Sequence, residues 1–290
     1  MYVVTGATGR VGGATAAALL AAGSPVRVVL RDPARGGSWA ARGAEVAVAD
    51  LLDRAALADA LAGATGAFVL SPFDLGVPDP LAHADAVAAA VSGAVADAGV
   101  PHVVALSSGG ADLPAGTGPI VGLHRLEVAL SGSGAVVTAL RPCHFQEKVG
   151  DVLDAAREHG VLPVLGASAD EARPQVATRD VGAVAARALL AAPARSGTVD
   201  VLGPAASERD VARALSRVLG RPVEPAVVPA EAWGSSLEEA GLPPVAAALV
   251  AELYRADARG LLAPRGDRVE RGTTPLVDTV AALVGAPAVA

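Results

Sequence analysis

The chain opens with a short apolar run that leads directly into a glycine-spaced turn, Val3-Val4-Thr5-Gly6-Ala7-Thr8-Gly9-Arg10-Val11-Gly12, followed by an alanine-rich stretch. Glycines at this spacing permit a tight turn, close approach of a ligand to the backbone, and close packing of a helix on a strand. The free N–H groups and positive dipole end of such a helix favour phosphate. We therefore expect a strand-turn-helix unit that binds the pyrophosphate of a nicotinamide dinucleotide through Gly6, Ala7, Thr8, Gly9, Arg10, Val11 and Gly12.

Short β-branched runs alternate with alanine-rich helical stretches along the first two thirds of the chain, which predicts an α/β Rossmann-type, doubly wound parallel sheet with helices on both faces. Predicted strands are Tyr2–Thr5, Val26–Leu30, Glu45–Ala49, Gly66–Leu70, His102–Leu106, Val136–Leu140 and Thr198–Leu202. Helices are expected to begin near Val11, Asp53, Leu81, Gly122 and Arg179.

Beyond about Cys143 the alternation gives way to segments punctuated by Pro and Gly. We expect residues 1–142 to form the NAD(P)-binding core and residues 143–290 a smaller substrate-binding cap region. Because a strand is predicted again near residues 198–202, the cap is expected to be interleaved with the core sheet. Predicted cap helices are Glu208–Leu219, Ala230–Ala240, Pro244–Ala256 and Leu276–Val284.

Charge and cysteine content exclude several classes of protein. The net charge of −7 and the pI near 5.2 provide no basic face for a nucleic-acid backbone. Cys143 is the only cysteine, so an intramolecular disulfide is excluded and no oxidising compartment is required. We expect neither a signal peptide nor a membrane span, and a cytoplasmic location.

The end of the second predicted strand bears on which cofactor binds. An acidic residue there would hydrogen-bond the ribose 2′-hydroxyl of NAD, whereas Leu30 and Arg31 stand in that place. A cation can instead pair with a 2′-phosphate, so Arg31, with help from Arg35, predicts a preference for NADP(H) over NAD(H). The alternative is an ordinary solvated arginine on a loop.

Polar residues also follow the third and fourth predicted strands, at the carboxyl edge where open α/β sheets bind ligands. We expect Asp50 and Leu51 to contact the adenine, and Leu70, Ser71 and Pro72 to line the adenosine ribose. The alternative for Asp50 is that it caps the helix opening near Asp53.

After the fifth predicted strand, Leu106-Ser107-Ser108-Gly109-Gly110 places hydroxyls near the expected nicotinamide position. Ser107 there could hydrogen-bond a substrate carbonyl or simply close a turn.

Several segments in the same order resemble the NmrA-like family of atypical short-chain dehydrogenase/reductases. They are TGATGRVG, VRVVLRDPAR, Asp50-Leu51, LSSGG, HRLEVALSGSGAVVTALRPCHFQEKV, Thr178-Arg179-Asp180-Val181-Gly182 and Val201-Leu202-Gly203-Pro204. The resemblance implies either an NADPH-dependent reductase, such as a quinone reductase, or a cofactor-binding redox sensor that regulates a protein partner without turnover.

Two departures accompany this resemblance. Ordinary short-chain reductases carry a Tyr-x-x-x-Lys pair, but the corresponding stretch here reads Pro119-Ile120-Val121-Gly122-Leu123, and the two tyrosines are Tyr2 and Tyr254. The family motif that ends in aromatic, glutamate and asparagine reads Phe145-Gln146-Glu147-Lys148, with lysine in place of asparagine.

The remaining candidates for chemistry are few. His124 is the best available acid, held by Glu127 one helical turn later, unless the two form a surface pair without chemical consequence. Cys143, His144 and Phe145 follow the sixth predicted strand and are expected to line the substrate pocket; a thiolate nucleophile or sensor at Cys143 is the alternative. The five histidines lack metal-ligand spacing, so we expect no metal.

We therefore expect an enzyme that transfers a hydride from NADPH to a small quinone, enone or ketone. The alternatives are a non-catalytic NADP(H)-sensing regulator with a protein partner, and an isomerase or lyase on the same fold. In the enzyme, Ser107 and His124 would serve the reaction, and the cap helices would form an apolar wall for the substrate.

Overall fold

Eight parallel strands form the central sheet of the computed structural model, which describes residues 1–285. Across the sheet they run β13-β10-β6-β5-β4-β1-β2-β3. Their bounds are β1 Tyr2–Thr5, β2 Val26–Leu30, β3 Glu45–Val48, β4 Gly66–Leu70, β5 His102–Leu106, β6 Val136–Pro142, β10 Gly197–Leu202 and β13 Arg268–Arg271. In register, Val4 lies opposite Val28 of β2 and Phe68 of β4.

Five short strands form two further sheets above the carboxyl edge of the main one. The first contains β7 (His144–Phe145), β9 (Arg173–Val176) and β11 (Ala205–Ala206). In the second, β8 (Val161–Val164) pairs in parallel with β12 (Glu224–Val227).

Some of the helices within residues 1–285 cover the two faces of the main sheet, and others belong to the separate part built by the second half of the chain. They are α1 Arg10–Ala21, α2 Gly37–Ala41, α3 Arg54–Leu61, α4 Pro80–Asp97, α5 Ile120–Ser131, α6 Leu153–His159, α7 Thr178–Leu190, α8 Glu208–Leu219, α9 Trp233–Glu239, α10 Pro244–Ala258 and α11 Leu276–Gly285. Short 3₁₀ segments cover Pro33–Arg35, Gln146–Val152 and Ala230–Ala232.

The period of two along each strand explains why both faces are covered. Val3 points into the apolar cluster beneath α3, α4 and α5, while Val4 points into the cluster beneath α1 and α7. Phe68 belongs to the second of these clusters and its neighbours Ala67 and Val69 to the first. Since strands buried on both faces read as continuous apolar runs, they were readable from the sequence.

The predicted Rossmann-type α/β fold is confirmed, and all seven predicted strands are present with shifts of at most two residues at their ends. The sequence missed β13, which reads Arg-Val-Glu-Arg and lies at the sheet edge with mostly exposed side chains. Backbone pairing with β10 holds β13 in place, and burial of its side chains contributes little. Its sequence therefore lacks the apolar pattern by which a strand is recognised.

The second half of the chain contributes to two layers. Helix α7 packs on α1, and β10 and β13 extend the main sheet, so this part of residues 143–290 lies with the core. Another part has an apolar cluster of its own, formed by residues such as Leu162, Leu215 and Val280. The last residues of the predicted cap, 286–290, lie outside the described residues. In residues 1–285, every helix is too short or too polar to cross a lipid bilayer.

Candidate functional site

The carboxyl ends of β1 and β4 mark the point where the order of the sheet reverses. From β1 the chain builds outward to β2 and β3, and from β4 it builds in the opposite direction to β5 and β6. The connecting helices therefore leave on opposite faces and open a crevice between the two ends, which is where open α/β sheets bind ligands.

The glycine-spaced turn occupies this crevice. Gly6 adopts a left-handed conformation with φ 63°, which a side chain would strain. A Cβ atom at Gly12 would lie 2.3 Å from the carbonyl oxygen of Gly6, so only glycine lets α1 begin this close to β1. Gly9 caps α1 without a side-chain hydrogen bond to the first turn. The first N–H groups of α1 thus face the crevice uncapped, an arrangement that fits a pyrophosphate.

Arg31 and Arg35 lie exposed beyond the end of β2, next to this crevice. Between them, the Asp32 side chain accepts a hydrogen bond of 2.9 Å from the N–H of Ala34 and so caps the 3₁₀ turn. The acidic residue of this loop therefore caps its own backbone, and the Arg31 and Arg35 side chains are both exposed.

The residues expected around adenosine follow β3 and β4. The Asp50 carboxylate accepts from the N–H of Leu52 at 2.9 Å, and Leu51 is half-buried below it. Asp53, not Asp50, caps α3, accepting from Ala56 at 3.0 Å, so the alternative that Asp50 is a helix cap is wrong.

Beyond β4, Leu70 is half-buried, Ser71 is buried and Pro72 is exposed. The Leu70 side chain closes against the glycine turn, because a Cβ atom at Gly6 would lie 2.6 Å from Leu70 Cδ2. The end of β4 therefore forms the wall of the crevice opposite α1.

Ser107 belongs to a buried polar network at the end of β5. Its hydroxyl donates to the carboxylate of Glu127 on α5. The same carboxylate accepts two hydrogen bonds from Arg141 on β6, at 2.9 and 2.6 Å. Glu127 raises the pKa of Arg141 chiefly through these hydrogen bonds, against the lowering effect of burial. The network ties α5 to β5 and β6 beneath the expected nicotinamide position.

His124 is not held by Glu127, contrary to the expectation from the sequence. The Glu127 carboxylate is engaged by Ser107 and Arg141, because that face of α5 packs on the sheet. The imidazole of His124 instead places Nδ1 2.9 Å from the carbonyl oxygen of Ala111, in the loop after β5. A backbone carbonyl at that distance fixes the ring with its proton on Nδ1.

The segment that follows β6 is held rigidly by two buried side chains. Gln146 donates to the carbonyl oxygens of Gln175 and Thr274 at 3.1 and 2.9 Å. Glu147 accepts from the N–H of Thr178 at 2.9 Å and from its hydroxyl at 2.5 Å, which places a carboxylate on the N-terminus of α7. These structural roles were not apparent from the sequence, because both partners are distant along the chain.

Lys148 points away from this anchored turn, and about two thirds of its side chain is accessible. Its ammonium group forms a 2.7 Å ion pair with Asp151. The packed surroundings oppose the charge, but the hydrogen bond and ion pair with Asp151 give Lys148 a net raised pKa. The lysine that replaces the asparagine of the family motif therefore stands as an exposed cation beside Asp151.

Cys143 and Phe145 are half-buried and pack against the apolar cluster beneath α1 and α7. Burial raises the pKa of the Cys143 thiol to about 11. At neutral pH the thiol is therefore protonated, which favours pocket lining over a thiolate nucleophile or sensor.

Helix α10 forms the outer wall of the site. Leu253 packs against Ala111, Ile120 and Leu123, which are the loop after β5 and the first turn of α5. One turn later, Asp257 pairs with residues of β7 and β9. The apolar wall for a substrate stays a prediction, and Asp257 gives this helix a charged group that the sequence analysis did not single out.

A surface cavity lined by Thr138, Arg195 and Asp267 lies at the opposite, amino edge of β6 and β10. Open α/β sheets bind ligands at the carboxyl edge. We therefore place the functional site at the crevice and not in this cavity.

Comparison with known proteins agrees with this geometry. The NmrA-like family model matches residues 2–255. The chain is 36% identical over 268 residues to a (4-alkanoyl-5-oxo-2,5-dihydrofuran-3-yl)methyl phosphate reductase of Streptomyces griseus, covering 91% of this chain and 90% of that protein. It is 32% identical over 258 residues to an NAD(P)H azoreductase of Xenophilus azovorans, covering 88% and 86%.

Among solved structures, the NADPH complex of the quinone oxidoreductase QOR2 from Escherichia coli superposes with a TM-score of 0.78 at 26% identity. The alignment covers 98% of this chain and all of that one. The likeness therefore extends through the second half of the chain, including the helices over the crevice.

We expect Glu127→Ala to destabilise the protein by about 3 kcal/mol, because it leaves the mostly buried Arg141 guanidinium without its partner. Urea denaturation followed by circular dichroism measures the change. Asp85→Ala is the matched control, since it breaks an exposed ion pair between Asp85 on α4 and Arg125 on α5 and should cost at most about 1 kcal/mol. Equal losses in the two variants would contradict a structural role for the buried network.

We expect Cys143 to react slowly with iodoacetamide at pH 8. A pKa near 11 leaves roughly a hundredfold less thiolate than the ordinary value of 9.0. Because the group is protonated below its folded pKa, the rate should rise about tenfold per pH unit up to pH 10. Mass spectrometry measures it cleanly because the chain has one cysteine. Reaction at pH 8 as fast as that of N-acetylcysteine would show that the thiol is not shielded.

Proposed function

Because this chain belongs to the NmrA-like family, we propose that it is an NAD(P)H-dependent oxidoreductase that prefers NADPH and reduces a small quinone, enone or ketone. The observation that carries the proposal is the uncapped N-terminus of α1, held against the end of β1 at the crevice of the sheet. That arrangement offers N–H donors and a positive dipole end where a pyrophosphate fits.

The residues around the crevice have distinct roles in this proposal. The turn from Gly6 to Gly12 holds the pyrophosphate, and Arg31 with Arg35 binds the 2′-phosphate. Around the adenosine lie Asp50, Leu51, Leu70, Ser71 and Pro72. When bound, NADPH supplies the hydride, and the protein supplies position and exclusion of water.

The substrate side lies between the end of β6 and α10. Cys143, His144 and Phe145 form its floor, and Leu253 contributes an apolar contact on the wall. We propose that residues 1–142 hold the cofactor and residues 143–290 supply this substrate side, although α7, β10 and β13 pack with the core. Ser107 and His124 remain predictions as residues that take part in the reaction.

The relatives support a conjugated, electron-poor acceptor. Their names specify an azo compound, an alkanoyl dihydrofuranone phosphate and a quinone. In each of these a double bond accepts a hydride at one atom and a proton at another. The exposed ammonium of Lys148 is suited to contact a negative group on such a substrate.

The test is NADPH and NADH oxidation by the purified protein against a panel of quinones, enones, ketones and azo dyes, with a binding titration of each cofactor beside it. We expect acceptor-dependent oxidation of NADPH with at least one conjugated acceptor. Tight NADP(H) binding without turnover on any acceptor would instead favour the sensing regulator. No binding at all would contradict the cofactor site.

We expect Arg31→Ala to weaken NADPH binding about tenfold and to leave NADH binding unchanged, because it removes a charge-assisted contact to a phosphate that only NADPH carries. Quenching of tryptophan fluorescence measures both affinities. Arg217→Ala removes an equally exposed arginine from α8 and should change neither. If Arg31→Ala weakens both cofactors alike, the 2′-phosphate assignment is wrong.

A further inference from the structure

An imidazole and a carboxylate meet at the edge of the substrate side. Nε2 of His144, on β7, lies 3.3 Å from Oδ1 of Asp257, on α10. The other oxygen of Asp257 pairs with Arg173 on β9, which also binds Glu171 at 2.9 Å. Asp257 is mostly buried, with 14% of its side chain accessible. The carboxylate is thus fixed in place by an arginine while it faces the histidine.

The two edges of the His144 ring differ in environment. Nε2 is buried and makes no hydrogen bond of good geometry within residues 1–285, and the Asp257 carboxylate faces it at the distance above. Nevertheless, 39% of the side chain is accessible. Within residues 1–285, Nδ1 makes no hydrogen bond and, unlike Nε2, is not buried, so it is the ring nitrogen open to a ligand.

His144 also stands at the expected place of reaction. It follows the carboxyl end of β6 by two residues, and the N–H of Gly109, after β5, donates to Pro142 at the end of β6 at 3.3 Å. Ligands of such sheets meet these carboxyl ends. His144 thus lies two residues beyond the end of β6, which neighbours β5 in the sheet.

We propose that His144, oriented by Asp257, is the proton donor of the reduction. The assignment rests on the proposed function and deepens it. In the step, a carbon of the conjugated acceptor receives a hydride, with its two electrons, from NAD(P)H, and the π electrons move to the carbonyl oxygen. That oxygen takes the proton from Nδ1, so an N–H bond breaks and an O–H bond forms. Nε2 keeps its proton against Asp257, and solvent water returns a proton to Nδ1.

The charged groups around His144 set where it titrates. Burial lowers its pKa, and Arg173 on β9 and Lys148 in the turn after β7 lower it further. Glu208 on α8 acts in the opposite direction, and its own pKa is raised by burial. A donor is active in its protonated form, so turnover should be highest at low pH and decline through an imidazole pKa below the ordinary 6.5.

The geometry favours His144 over His124 for this role. A carboxylate near Nε2 stabilises the imidazolium that a donor must carry, as in other histidine–carboxylate couples. His124 has a backbone carbonyl at Nδ1, and Glu127 is engaged by Ser107 and Arg141. His124→Gln therefore serves as the rival arm of the test.

The experiment combines kinetics with a titration that needs no turnover. His144→Gln keeps an N–H donor for Asp257 but cannot titrate. With an acceptor found in the panel, we expect kcat to fall about a hundredfold and the pH dependence to flatten. The NADPH Kd should stay within about threefold of the parent value. His159→Gln, which changes an exposed histidine paired with Glu158, is the control and should match the parent protein.

In the cofactor-free protein, NMR of the histidine Cε1–H groups should show His144 titrating below the ordinary imidazole value of 6.5. Asp257→Asn should lower the His144 midpoint further, because the carboxylate that favours imidazolium is gone. A His144 midpoint at or above 6.5 would contradict the environment that we describe. If His144→Gln folds and turns over like the parent protein, or if His124→Gln alone removes the pH dependence, the proposal is wrong.

The experiments distinguish failure of the proposed reductase function from failure of the assignment of His144 as proton donor. A parent protein that binds NADPH but reduces no acceptor overturns the proposed function, and the donor assignment falls with it. A parent protein that turns over while His144→Gln does so equally well overturns only the donor assignment.

Discussion

The contact between the start of α1 and the end of β1 determines where everything else in the site can lie. A Cβ atom at Gly12 would lie only 2.3 Å from the carbonyl oxygen of Gly6. Any side chain at this position would therefore force α1 away from the end of β1. Since α7 packs on α1, the same contact also fixes the layer on one face of the sheet. Through Glu147 the N-terminus of α7 in turn holds the turn that carries Lys148. One close approach thus positions both the glycine-spaced turn and the segment that follows β6.

The polar residues at the carboxyl edge fall into two groups with different chemistry. Glu127, Gln146 and Glu147 have their hydrogen-bonding capacity engaged by the protein itself. Because burying such groups is costly unless they are paired, their partners hold them as structure and leave little for a ligand. His144 and Lys148, by contrast, keep part of their side chains accessible. These two side chains are therefore available to a ligand in a way that the buried, paired groups are not.

Sequence reasoning succeeded where the physical signal is local. The strands of the first half are buried on both faces, so each is an apolar run bounded by turn residues, and the glycine turn follows β1 directly. Sequence reasoning failed where the role of a side chain depends on a partner distant along the chain. The spacing of His124 and Glu127 suggested a pair, but α5 directs Glu127 toward Arg141 of β6. The contact of His144 with Asp257 joins segments far apart in the chain, and neither residue lies in a pattern that would reveal it.

The chain leaves the main sheet after β10, builds α8, α9 and α10 over the crevice, and returns to the sheet as β13. Both ends of this excursion are anchored in neighbouring parallel strands, so it behaves as a closed loop. A change of length within the excursion need not disturb the sheet, because both of its ends stay paired in β10 and β13. The wall that we propose for the substrate side can therefore differ between related proteins while the strands beneath it keep their places. Closely similar sheets can in this way come to serve acceptors of quite different size.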